Sequence, residues 1–204
     1  MEADPSLPNP VLDRYLTFKR DTPLVTRCIL FSQLFFFGLS FCFAQTLSFA
    51  LANIPQFTIK QLEIYRILLS PLVCDSFLSL IFAFSNFHAP GCRLEQSMGS
   101  TSFLLLIISI GVLSNLIFIA FAFLTSMITG SEAYLMSSAS GIWIVLFGIM
   151  PIECSRAPQQ SMRKILFFNV RKEYYIQLLY FVFILLGLSR WSHIISIALG
   201  YAYV

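Results

Sequence analysis

The chain has 204 residues, 57% of them apolar, 16% aromatic and 11% charged, with a formal net charge of +3. An ordinary soluble domain is about 45–50% apolar and about 25% charged, and a disordered chain is polar and highly charged, so both classes are excluded. So small a positive charge offers nucleic acid no basic surface, and the composition implies an all-α protein that crosses a lipid bilayer several times.

The first 27 residues are polar and punctuated by Pro5, Pro8 and Pro10, and read as an N-terminal arm. Residues 28–204 read as one membrane domain. No cleavable signal peptide is recognisable, because the first apolar run starts only after Arg27 and is long enough to span. Charges then mark the boundaries. No charge falls between Arg27 and Lys60, which predicts a first span over about 28–51. The stretch from Asn53 to Arg66, broken by Pro55, is too short and polar to cross and is expected at the membrane interface. A second span is expected over about 67–87, interrupted by Asp75. A third is expected over about 101–125, inside the charge-free run from Gln96 to Ser131.

The fourth span is expected over about 134–150, closed by Pro151 and Glu153. A basic loop (Arg156, Arg163, Lys164, Arg171, Lys172) leads to a fifth over about 174–188, ended by Arg190 and Trp191, and a sixth over 192–204. The arm and the second and fourth loops hold ten Lys and Arg, against three in the other loops. The positive-inside rule therefore places the N-terminus in the cytosol. The sixth span reaches only about 20 Å, short of a roughly 30 Å hydrocarbon core, so the chain is expected to be truncated or to lack a domain that normally follows. No internal repeat suggests an inverted-repeat transporter.

The five cysteines (Cys28, Cys42, Cys74, Cys92, Cys154) are odd in number and form no Cys-x-x-Cys pair, so neither a disulfide framework nor a metal site is expected, and no cofactor. The informative residues are polar ones inside spans. The fourth span opens with Ser137, Ser138, Ala139, Ser140 and Gly141, and the sixth with Ser192 and His193, on the same side of the membrane. Histidine is the usual base for a serine nucleophile, and free N–H groups at a helix start, that of Gly141 among them, can hold an oxyanion. The alternative is plain packing. Small residues such as Ser137, Ser138, Ser140 and the pair Ser196/Gly200 let membrane helices approach closely.

The fourth-span sequence Ser138 to Gly148 resembles the Gly-x-Ser-Gly motif of the rhomboid superfamily, with Ser140 at the nucleophile and Gly148 two turns on. His193 to Gly200 is similar to that family's histidine followed by a small-xxx-small helix, here Ser196 and Gly200. Leu94-Glu95-Gln96-Ser97-Met98-Gly99-Ser100 and Tyr65-Arg66 match further family patterns in the same order. The resemblance implies a six-helix rhomboid-like bundle and a Ser140–His193 dyad cleaving transmembrane segments of protein substrates. Departures accompany it. The oxyanion-binding His-x-x-x-Asn of the proteases falls on Ser79 and Ala83, leaving Ser79 and Gly141 as weak oxyanion candidates, and Ile144 stands where an aromatic commonly stacks on the histidine.

The segment from Ile152 to Val170 also looks similar to rhomboid-like endoplasmic-reticulum proteins that carry a ubiquitin-associated domain. That similarity implies the endoplasmic reticulum or another endomembrane. It also keeps a second function open: a catalytically inactive binder of transmembrane clients in membrane-protein quality control or trafficking. A small channel or carrier is disfavoured, since no span carries paired charges.

Overall fold

The computed structural model describes residues 10–43, 46–74, 77–158, 162–165, 168–188 and 190–204, and the described part is almost wholly helical. Helix α1 (Pro10–Asp21) starts on a proline, whose missing N–H costs nothing in a first turn, and carries Lys19 and Arg20 in its last turn, where cations favour the negative end of the helix dipole. It gives the N-terminal arm a structure that its prolines alone did not suggest. Helix α2 (Leu24–Cys42) follows Pro23 and is long and apolar enough to cross a bilayer. Short helices α3 (Thr46–Leu51), α4 (Pro55–Lys60) and α5 (Tyr65–Leu69), with a 3₁₀ turn at Ser70–Leu72, lead to α6 (Phe77–Met98).

Gly99 alone joins α6 to α7 (Ser100–Thr129), at φ +84°, a backbone setting that disfavours any side chain. Helix α7 is the second helix long and apolar enough to span, at about 45 Å, and Gly130 closes it in the left-handed conformation. Leu105, Ile108, Leu116 and Phe123 on α7 are exposed, as a lipid-facing side requires. Helix α8 (Trp143–Arg156) is the centre of the molecule: every residue from Trp143 to Cys154 is buried. A helix apolar on all sides belongs inside a bundle, and α6, α7, α9 (Lys172–Leu185) and α10 (Trp191–Tyr203) pack around this one. Within the basic loop, Met162–Ile165 and Phe168–Arg171 pair as an antiparallel hairpin.

Charge-based boundaries differ from the helices in three places. The first run holds a helix to Cys42 and a separate short helix from Thr46. The second helix starts at Phe77 and continues through His88, Arg93 and Glu95 to Met98. It can do so because Glu95 is satisfied internally: its carboxylate accepts from the N–H groups of Val25 (2.8 Å) and Thr26 (2.7 Å), from Thr26 Oγ1 (2.8 Å) and from Ser100 Oγ (2.7 Å). Those bonds also cap the open start of α2. In the fourth run, 137–142 are not helical and the helix starts only at Trp143. Helices α8, α9 and α10 have 14, 14 and 13 residues, each about 20 Å long.

Close packing concentrates where α7, α8 and α10 meet. A Cβ on Gly200 would overlap the carbonyl oxygen of Gly148, and one on Gly148 would overlap Ile110 Cγ2. Gly111 of α7 would bring a Cβ to 3.3 Å from Pro71. Ser196 Oγ donates to the Ser192 carbonyl at 2.8 Å and lies 2.9 Å from Ser114 Oγ, joining α10 to α7.

Candidate functional site

The serine-bearing segment is held by backbone bonds to the early loops. Ala139 and Asn53 exchange both N–H···O bonds (3.0 and 2.9 Å), a single bridge between segments far apart in sequence. Asn53 is fixed in turn: its Nδ2 donates to Asn115 Oδ1 at 3.0 Å and its Oδ1 accepts from Thr58 Oγ1 at 3.0 Å. Asn115 Nδ2 donates to Ser70 Oγ (2.9 Å) and to the Ile67 carbonyl (2.7 Å). The Ser70 carbonyl accepts from the N–H of Gly141 at 2.8 Å. A buried, fully connected network of this kind fixes a loop rigidly, because opening any bond leaves a polar group unpaired in an apolar interior. Gly141 takes φ +96°, so the chain turns sharply at the residue after Ser140.

Ser140 is half-buried, and its Oγ accepts from Arg190 Nη1 at 3.4 Å. The same guanidinium nitrogen donates to the Ser138 carbonyl at 3.2 Å. Arg190 precedes α10, and its own carbonyl accepts from the His193 N–H at 3.0 Å. Ser140 and His193 therefore share one end of the bundle, and no hydrogen bond joins them among the described residues. The imidazole is 3% exposed and enclosed by aromatic rings, with centroids 5.1 Å from Phe147 and 5.8 Å from Phe183. Among the described residues, its Nδ1 is buried without a hydrogen-bond partner, as is the neighbouring Ser192 Oγ.

The expected oxyanion donors fare differently. The side chain of Ser79 lies outside the described residues. Ala83 is fully buried and has only a methyl group to offer. The Gly141 N–H is already engaged by Ser70 and would have to release that bond to reach an oxyanion. Ile144 is buried beside Phe118 and Ala139, and the ring on His193 comes instead from Phe147, three residues later. Among the described residues, no three His, Cys, Asp or Glu side chains gather as a metal ligand set.

Two features lay beyond the sequence reading. The Asn53–Asn115–Ser70 network had one signal, since Asn115 is an amide inside a charge-free apolar run, where polar side chains mark a purpose. The Arg190 bond to Ser140 had none: Arg190 sits where an interfacial anchor is ordinarily found. The profile of the Rhomboid domain matches residues 61–204, which include Ser140, His193 and α6 to α10. A comparison with curated proteins finds no match. With the matched region covering most of its length, the chain belongs to the rhomboid superfamily of intramembrane proteins.

Proposed function

We propose that this rhomboid-like protein is non-catalytic and binds transmembrane segments of client proteins within the bilayer. One observation carries the reading: among the described residues the Ser140 hydroxyl accepts from Arg190 Nη1 at 3.4 Å and makes no hydrogen bond with His193. A serine is a weak nucleophile until a base within about 2.6–3.2 Å takes its proton. A guanidinium cannot act as that base, because it keeps its proton at all accessible pH. The oxyanion side supports the same reading. Ala83 gives no donor and the Gly141 N–H is spent on Ser70. Loss of a single oxyanion donor costs about 10²–10³ in rate, and the lack of a base at Ser140 adds to that cost.

The competing reading is an endopeptidase with a Ser140–His193 dyad. It draws on the presence of both residues at one end of the bundle, and it requires Arg190 to release Ser140 and the imidazole to leave its aromatic enclosure. On either reading the ligand is a transmembrane helix. The charge asymmetry favours a cytosolic N-terminus, and the similarity around Ile152 to Val170 favours the endoplasmic reticulum or another endomembrane, with a role in quality control or trafficking.

A fluorophosphonate probe on detergent-purified protein tests the choice. The expected result is no labelling of folded protein between pH 6 and pH 9, in wild type and Ser140→Ala alike. Labelling that disappears in Ser140→Ala would establish a reactive serine and overturn the non-catalytic reading. Photo-crosslinking from α10 should capture apolar helices equally in both proteins.

A further inference from the structure

Helices α8 and α10 begin at the end of the bundle that carries Ser140, and neither has an acidic residue in its first turn. The open N–H groups of a helix start act as about half a positive charge, which favours an anion and disfavours a cation. The chain nevertheless places a full cation there. Arg190 is the residue on which α10 opens, and it is exposed.

The neighbours of its guanidinium are neutral. Nη1 donates to the Ser138 carbonyl at 3.2 Å and to Ser140 Oγ at 3.4 Å, and among the described residues no carboxylate pairs with it. Glu132, on the 3₁₀ turn that leads into the serine segment, makes no ion pair among the described residues either. Both Arg190 bonds draw on one nitrogen of three, which leaves Nη2 and Nε to donate. The Ser140 hydroxyl accepts from Arg190 and keeps its own proton without an acceptor among the described residues. The guanidinium and the two helix starts thus present positive potential together, with donors unspent.

Depth decides where an anion would come from. Trp191, next in the chain, packs its ring on Phe121 of α7, with centroids 5.5 Å apart. Helix α7 continues past Phe121 for two more turns to Thr129, about 12 Å along its axis. Leu124, Met127 and Ile128 on that stretch are apolar and exposed. Lipid-facing apolar surface therefore extends farther out than Arg190, and the guanidinium lies below the level at which lipid phosphates collect. An ionised side chain at membrane depth calls for a partner. The described part of the chain supplies none, so the complement is a carboxylate carried into the bilayer on another helix.

We propose that Arg190 selects transmembrane clients that carry an Asp or Glu close to the membrane end facing this site, the guanidinium and the Ser140 hydroxyl both donating to the client carboxylate. This rests on the client-binding reading above and names the feature by which clients are told apart. An aligned carboxylate matches the planar guanidinium in shape as well as in charge.

Energy transfer from Trp143 and Trp191, which both lie at this end, to dansyl-labelled apolar helical peptides tests this with the purified full chain in phosphatidylcholine nanodiscs. Three peptides differ at one position, a turn inside the membrane end, which is Glu, Gln or Lys. The Glu peptide should bind about tenfold more tightly than the Gln peptide, the worth of about one charge-assisted hydrogen bond, and the Lys peptide less well than either. Arg190→Gln should abolish the Glu preference and leave the affinity for the Gln peptide unchanged, which also shows that the variant is folded. Arg190→Lys should keep part of the preference. Equal binding of the Glu and Gln peptides by the wild type would overturn the inference and leave client binding standing. If none of the three bound, the client-binding reading would fall and this inference with it. A Glu preference that survives in Arg190→Gln would overturn the role of Arg190. One that vanishes when phosphatidylglycerol replaces phosphatidylcholine would do the same, by marking Arg190 as a site for lipid phosphate.

Discussion

Replacing Gly200 by alanine adds one methyl group at the tightest point of the bundle. That methyl would overlap the Gly148 carbonyl oxygen and lie 2.9 Å from Pro151 Cγ and 3.1 Å from the Gly148 carbonyl carbon. Carbon atoms in good contact stand about 3.5–4.0 Å apart, so α10 must withdraw from α8 by about 1 Å. No rotamer change relieves the overlap, because the blocking atoms belong to the backbone and to a proline ring. Such overpacking costs about 1–3 kcal/mol, and the better helix propensity of alanine returns up to about 1 kcal/mol. A net loss of about 1–2 kcal/mol, or roughly 5- to 30-fold in the unfolding equilibrium, is expected. Gly38 is the control: a Cβ there meets nothing within 4 Å, so Gly38→Ala should be neutral or stabilising by up to about 1 kcal/mol. Reversible unfolding in mixed micelles with increasing dodecyl sulfate, followed by the fluorescence of Trp143 and Trp191, measures both. If Gly200→Ala matched the wild type to within about 0.5 kcal/mol, the close approach of α8 and α10 would be refuted.

Asn115→Leu should destabilise by about 2–4 kcal/mol in the same assay, since it strands Asn53 Nδ2, Ser70 Oγ and the Ile67 carbonyl in the interior. Retained stability would show that water reaches the network. A double-mutant cycle of Ser114→Ala and Ser196→Ala should give a coupling of about 0.6 kcal/mol, the usual worth of a hydrogen bond between membrane helices. A coupling near zero would mean that Ser196 serves only its own helix through the Ser192 carbonyl. A cysteine placed at position 164 in a cysteine-free background should react with impermeant maleimide only from the cytosolic side, given the excess of basic residues in that loop. Reaction only from the opposite side would invert the orientation.

Much about this protein is local and additive, and the sequence by itself determined that part. An apolar fraction of 57% with 11% charge dictates a bundle of apolar helices, and the order of short motifs from Tyr65 to Gly200 identified the superfamily. Helix ends were less legible, because an end depends on whether a polar residue finds a partner. Glu95 continues α6 only because the start of α2 lies against it, about seventy positions earlier in the chain. The serine site shows the limit most sharply. Ser140 and His193 read as a dyad by type and order, and the structure adds contacts the sequence did not show: the imidazole lies among Phe147 and Phe183, and Arg190 Nη1 donates to the Ser140 hydroxyl. Residue type fixes which hydrogen bonds a side chain is able to make. Which of them it makes depends on ångström-scale placement of segments about fifty residues apart, and only the packing of α8 against α10, set by Gly148 and Gly200, decided that.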